Sequence, residues 1–414
     1  MNFFMRYKKI IYIILFLLVI VLVAVLLWRA FFKPQVLPTP NQNATSTTGQ
    51  LPTAGEGGQQ ISSTTPGTIP GSGNVGPIPT TGQTVSPTAQ GGLTQTTALN
   101  AGHVLNPLLA SDGKTIQYYN QDDGKFYKLN ANGEMVPLSD KVFYSVDKVD
   151  WSSKGDKAVL EYPDGSNIVY DFNTQKQVTL PKHWDGFSFS KDSNQIVSKS
   201  LGTDPDNRWL ITANSDGSNA KAIEYIGLND GKVIPSWSPN NQSIALYTEG
   251  IDYNRQQLFF VGQNGENFKS TVVEGRDVRA KWTPDGSRLL YSAYNSNSNL
   301  KPQLWIVGAE GENIGTGRTN LQLNTWADKC TFADNNSIYC AVPENLEEGA
   351  GILPDLADKT KDNLYKIDLT TGSKKLIAIP SGSFNINSII VTKDQSKLYF
   401  TNKSDNQVYK VNLR

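Results

Sequence analysis

The sequence predicts an all-β fold: a seven-bladed β-propeller of four-stranded antiparallel blades, preceded by one transmembrane helix and a disordered linker. Three observations predict it. An aromatic or apolar anchor, a polar turn and an aliphatic partner recur seven times. The successive anchors lie 42, 38, 48, 45, 50 and 59 residues apart, and a period near 40–50 with four strands per unit marks a propeller. The runs "SIALY", "RLLYS" and "LWIVG" are continuously apolar rather than alternating, as expected of strands covered on both faces.

The first region is residues 1–33, a cytoplasmic tip and a membrane anchor. Between Ile10 and Trp28 the chain reads "IIYIILFLLVIVLVAVLLW", 19 residues without a charge. At about 1.5 Å per residue a helix of that length covers most of a hydrocarbon layer roughly 30 Å thick. The apolar core is longer than that of a cleaved signal peptide, and no A-x-A site follows it. Arg6, Lys8 and Lys9 precede the span, and Arg29 and Lys33 follow it. This balance places the N-terminus in the cytoplasm and the remainder outside the cell membrane.

Residues 34–91 form the second region, a linker of Pro, Thr, Gly, Gln and Ser with Lys and Arg absent beyond Lys33 and Glu56 as its one acid. Such a composition buries too little apolar surface to offset chain ordering. As a flexible coil it spans on the order of 45 Å, enough to hold the next domain clear of a membrane.

The third region, residues 92–414, holds the repeats. The anchors are Leu109, Trp151, Phe189, Trp237, Trp282, Phe332 and Val391, and the partners are Ile116, Ala158, Ile196, Ile244, Leu289, Ile338 and Leu398. The turns between them read SDG, SKGD, KDSN, PNNQ, PDGS, DNN and KDQS. Asn, Asp and Gly accept the backbone angles that tight turns need. A third strand follows in each unit, as in "QLFFVG" or "NLYKIDL", and a fourth, weaker one in most. The seventh unit stops at its third strand, and "LTQTTAL" at 93–99 is expected to supply the missing one and remove an open edge.

The units "WSPNNQSIALYT" and "WTPDGSRLLYSA", followed by "QLFFVGQNGE" and "QLWIVGAEGE", resemble TolB-like, WD-repeat-like propeller repeats. The likeness is good at Trp237 and Trp282, fair at Trp151, Phe189 and Leu109, and degenerate at Phe332 and Val391. It covers the repeats only. TolB carries an α/β domain and six blades, whereas an anchor, a linker and seven units stand here. The resemblance implies the fold and a general envelope scaffold role, not TolB's own partner.

Composition narrows the chemistry. The 38 basic and 38 acidic residues balance over the whole chain. The part after residue 100 is mildly acidic, however, so it has no electrostatic footprint for nucleic acid. With two histidines, His103 and His183, a three-histidine zinc site is impossible. No G-x-S-x-G elbow occurs. No cofactor is expected, and the chain reads more readily as a binding protein than as an enzyme.

Cys330 and Cys340 flank the sixth turn symmetrically and should face each other as a disulfide, or remain as two small buried thiols. Asp147, Asp185 and Asp328 each stand four residues before an anchor, and Asp277 five before. They should rim one mouth of the central channel, either as solvated loop carboxylates or as ligands for a cation or a sugar. Trp184 and Trp326 beside them could stack on a ligand or pack between blades. The loops after the second strand lengthen in units three to six, reaching 20 residues in "PENLEEGAGILPDLADKTKD". All open on that same mouth and offer Tyr253, Arg255, Tyr294 and Leu353 for recognition. The expected partner is a protein or an envelope polymer, and the rival reading is a glycan-binding or glycan-active propeller using the Asp and Trp residues.

Overall fold

The computed structural model describes residues 17–23, 84–99 and 101–414. Residues 17–23 are helical. The rest of the expected span and the linker up to residue 83 lie outside the described residues, and among the described residues no helix is long and apolar enough to cross a membrane.

From residue 84 onward the chain forms seven antiparallel blades. Their first strands are Val104–Leu109, Lys148–Trp151, Trp184–Phe189, Val233–Pro235, Arg276–Trp282, Cys330–Asp334 and Ile386–Val391. The repeat unit sets the register. Six anchors lie directly opposite their partners: Leu109↔Ile116, Trp151↔Ala158, Phe189↔Ile196, Trp282↔Leu289, Phe332↔Ile338 and Val391↔Leu398. In blade four the strand proper stops at Pro235↔Ala245, but the Ser236 and Ser238 amides still donate to the carbonyls of Ile244 and Ser243 at 2.9 and 2.8 Å, and buried Trp237 between them shares a cluster with Ile244, its Nε1 donating to Asn241 Oδ1 at 3.0 Å.

Continuous apolar runs have a simple cause here. Seven clusters of buried side chains fill the junctions between neighbouring blades, one at each. Consecutive residues of a second strand serve different junctions. Leu289 packs toward blade four and Leu290 toward blade six. Ile338 packs toward blade five and Tyr339 toward blade seven. A strand wedged between two neighbours has no wet face, so alternation is lost.

The polar turns explain the Ser or Thr after the anchor. In blade five Thr283 Oγ1 accepts the Arg288 amide at 3.0 Å and donates to Asp285 at 2.6 Å, while Asp285 accepts the Ser287 amide at 3.0 Å. Ser190, Ser238 and Thr392 repeat this arrangement with Asp192, Asn240 and Asp394, and Ser152 forms a variant with Asp156, four residues on. Gly286 sits at φ 77°, the left-handed region that glycine enters without steric cost. Hydrogen bonds also join neighbouring blades. Examples are Asn240 Nδ2 to the Gly286 carbonyl at 3.2 Å and the Lys393 amide to the Gly113 carbonyl at 2.9 Å.

The N-terminal segment does more than expected. Thr97–Ala98 pairs antiparallel with Val408–Asn412 and completes blade seven. Leu93–Thr94 instead pairs parallel with the last strand of blade six, Lys374–Pro380, making that sheet five-stranded. Residues 84–91, which composition assigns to the linker, also join the ring. The amides of Ala89 and Gly91 donate to the carbonyls of Asn412 and Ile377, each at 2.8 Å. The ordered domain therefore begins before Gly91, because backbone pairing holds a stretch whose side chains show no pattern.

Candidate functional site

Strand direction places the loops after each second strand, together with the connections between blades, on one face. The turns after first and third strands lie on the other. In the connections 294–302, 343–362 and 402–408, each loop is joined to the next. Asn254 Oδ1 accepts the Ser296 amide at 2.9 Å. The Gly349 and Gly351 amides donate to the carbonyls of Asn299 and Leu300 at 3.1 and 2.7 Å. Lys403 Nζ reaches Asp358 at 2.5 Å and Asp355 at 3.5 Å. Blades four to seven thus carry one continuous wall. Its closeness depends on Gly351: a β-carbon there would lie 2.5 Å from Tyr294 Cβ and 2.6 Å from the Leu300 oxygen.

The site residues named from sequence fall into three groups. Asp147, Trp184 and Asp185 line one groove between blades two and three, together with Lys148, Glu161 and His183. The Asp147 side chain is exposed, and Asp185 pairs with Lys199 Nζ at 2.7 Å. Trp184 is not a stacking platform, for its side chain is buried in the cluster shared by blades two and three. Beneath the groove Lys148 Nζ lies 2.8 Å from both Asp150 and Glu161. Burial, with Glu161 beside it, pushes the Asp150 carboxyl up to about 7 against the pull of Lys148.

Trp326 and Asp328 form the second group, at blades five and six. Arg279 bridges two of the acids, with Nε 3.2 Å from Asp277 and an Nη 3.3 Å from Asp328. Asp277 holds φ 56° within a β-bulge, the device that redirects a side chain beside a functional surface. Trp326 is buried against Ala350, Ala357 and Leu346, so it roots the blade-six loop instead of facing a ligand. Arg279 and Lys329 approach its ring at 5.9 and 5.8 Å. Below it Lys329 Nζ bonds both oxygens of buried Asp362, at 3.1 and 2.9 Å, and Asn385 Oδ1 at 3.1 Å. Lys281 Nζ donates to the carbonyls of Asp328 and Cys330 at 3.1 and 2.8 Å, and burial pushes its ammonium down.

The third group is the loop tips. Tyr253 is 67% exposed and Leu353 62%. Arg255 is tied to Asp252 at 2.7 Å, and Tyr294 is half-buried under Gly351. Cys330 and Cys340 face each other in the ladder and are joined as a disulfide in blade six. Asp147 and Asp185 share one groove while Asp277 and Asp328 share Arg279, and among the described residues no group of three His, Cys, Asp or Glu side chains is placed to hold a metal ion. Sequence reasoning missed Arg279, Lys329, Asp362 and Asn385, which join groups tens of residues apart, as Arg279 joins Asp277 to Asp328. It also missed Leu228, Ile251, Ile352 and Leu356, which were legible as apolar residues inside otherwise polar loops.

No family model matches the chain, and no curated protein matches it either. Solved structures do match. The β-propeller domain of Cps50 (Swd1) from Myceliophteria thermophila aligns with a TM-score of 0.52 at 12% identity, covering 77% of this chain and 100% of that one. Oligogalacturonate lyase from Vibrio parahaemolyticus aligns at 0.51 with 14% identity, covering 77% and 93%. An oligogalacturonate lyase in complex with manganese aligns at 0.50, also with 14% identity and the same coverage. This chain is a seven-bladed β-propeller. At such identities the likeness speaks to the fold alone.

Proposed function

We propose that this protein is a membrane-anchored, extracytoplasmic propeller of the TolB-like kind, acting as a scaffold that docks a protein on the loop face of blades three to seven. One observation carries the reading. Exposed large apolar side chains occur on the loop face at Leu228, Ile251, Tyr253, Ile352, Leu353 and Leu356, and at Val142 and Tyr144 in the connection from blade one to blade two, while none lies in the turns of the opposite face among the described residues. An apolar surface concentrated on one face of a rigid frame is what recognition requires. The anchor and linker would confine the propeller near the membrane and raise its effective concentration for a neighbouring partner. The sugar-binding alternative is less well supported, since Trp184 and Trp326, its stacking residues, are buried.

Photocrosslinking tests this. A photoreactive residue at Leu353 in the full-length protein should capture a protein in intact cells, and the same residue at Asn132 on the turn face should not. Equal capture from both positions, or none from Leu353, would remove the reading.

A further inference from the structure

We infer that the partner of the loop face is a cationic protein segment whose apolar side chains seat against the tips of the blade-four and blade-six loops. This rests on the reading of that face as a docking surface and adds the chemistry of the occupant. Ile251 and Ile352 are each 47% exposed, beside the more exposed Tyr253 and Leu353. One such residue alone would mean nothing. Here they stand on loops that are bonded in series, Asn254 to Ser296 and then Asn299 and Leu300 to Gly349 and Gly351. The loops form a fixed strip, so little ordering cost remains to be met on binding.

The strip is acidic on balance, although Lys301 is the one charge of the middle loop 294–302 and Arg255 offsets Asp252 beside Tyr253. The loop 343–362 holds Glu344, Glu347, Glu348, Asp355 and Asp358 against Lys359 and Lys361, before buried Asp362. Lys361 is engaged by Glu344 at 3.1 Å, and Lys403 compensates Asp355 and Asp358. Among the described residues Glu347 and Glu348 make no ion pair, nor do Lys301 and Lys359, so the excess of acid rests on the five carboxylates of the loop 343–361 against its two lysines. An anionic polymer or lipid headgroup meets repulsion there, whereas a segment of Lys or Arg with interspersed aliphatic side chains satisfies both features.

Two synthetic amphipathic peptides with the same Leu face, one carrying Lys and the other Glu, test this by fluorescence anisotropy on the full-length protein. The Lys peptide should bind, weakening about tenfold between low and moderate salt, and the Glu peptide should not. Leu353→Ser with Tyr253→Ser should weaken binding about tenfold while keeping the salt dependence. Glu347→Gln with Glu348→Gln should flatten the salt dependence. Equal binding of both peptides, or indifference of the Lys peptide to both double variants, overturns the inference. Failure of the docking reading is seen separately. A crosslink from Leu353 to an acidic segment would overturn this inference and leave docking intact, whereas no crosslink from that face would overturn both.

Discussion

The two faces of the ring employ the same side chains in opposite ways. On the turn face Asp285 bonds Thr283 two residues away, and Asp394 bonds Thr392 at the same separation. On the loop face Asp328 is held by Arg279, 49 residues away, and Asp362 by Lys329, 33 away. On one face the acids serve turns closed within a few residues and joined to the next blade by single bonds such as Asn240 to Gly286, while on the other they are held by bases from distant parts of the ring. Local turns tolerate change one at a time, but a network transmits damage. A surface built as a network can hold a fixed shape over several loops, which recognition needs and a turn does not.

The contrast is broken most severely at the root of the network. Asp362→Ala leaves the Lys329 ammonium buried without its partner and the Ile386 amide without its acceptor. The expected cost is about 3–5 kcal/mol, read as a large fall in Tm. Reduction of Cys330–Cys340, or Cys330→Ser with Cys340→Ser, should cost about 2–3 kcal/mol, since the closed loop is short. On the turn face Thr283→Val should cost only about 1 kcal/mol, because one local hydrogen-bond set is lost.

Acidity sharpens the comparison. Hydrogen bonds from Thr392 and Ser396 hold the Asp394 carboxyl well below its ordinary value, and those from Ser190 and Asn194 do the same for Asp192. Their contribution is present above the unfolded value near 4 and is lost as pH falls through the folded values. Asp150 behaves oppositely. Its folded value of about 7 exceeds the unfolded one, so ionising it opposes folding increasingly as pH rises from about 4 to 7. Thermal melts of the wild type should therefore weaken on the acid side, and Asp150→Asn should reduce the difference in Tm between pH 5 and pH 8. An unchanged difference would show that Lys148 outweighs burial. The smallest effect belongs to the exposed tip: Leu353→Ser should leave Tm nearly unchanged, within about 0.5 kcal/mol of stability, while weakening binding of the Lys peptide by less than the double variant does.

What the sequence discloses follows the same division. Leu289 opposite Trp282, or Ile338 opposite Phe332, is a relation between residues separated by one turn, and spacing alone reveals it. Cys330 opposite Cys340 is legible for the same reason. Spacing tells that Trp184 and Trp326 stand at or just before the start of a first strand, but whether an indole points outward depends on what Ala350 or Phe187 brings against it from elsewhere in the fold. The double pairing of residues 93–98 was half legible. "LTQTTAL" resembles a fourth strand, yet nothing in its pattern shows that Leu93 and Thr94 pair with blade six before Thr97 and Ala98 pair with blade seven.

That double pairing has a mechanical consequence. Any tension arriving along the chain from ahead of residue 84 enters at the seam where the two ends of the ring meet. The Ala89 and Leu99 amides grip Asn412 and Val408 on one side, and Gly91 and the Ile379 amide join strands on the other. A pull is therefore shared between the pairings on blade six and blade seven instead of falling on one sheet edge.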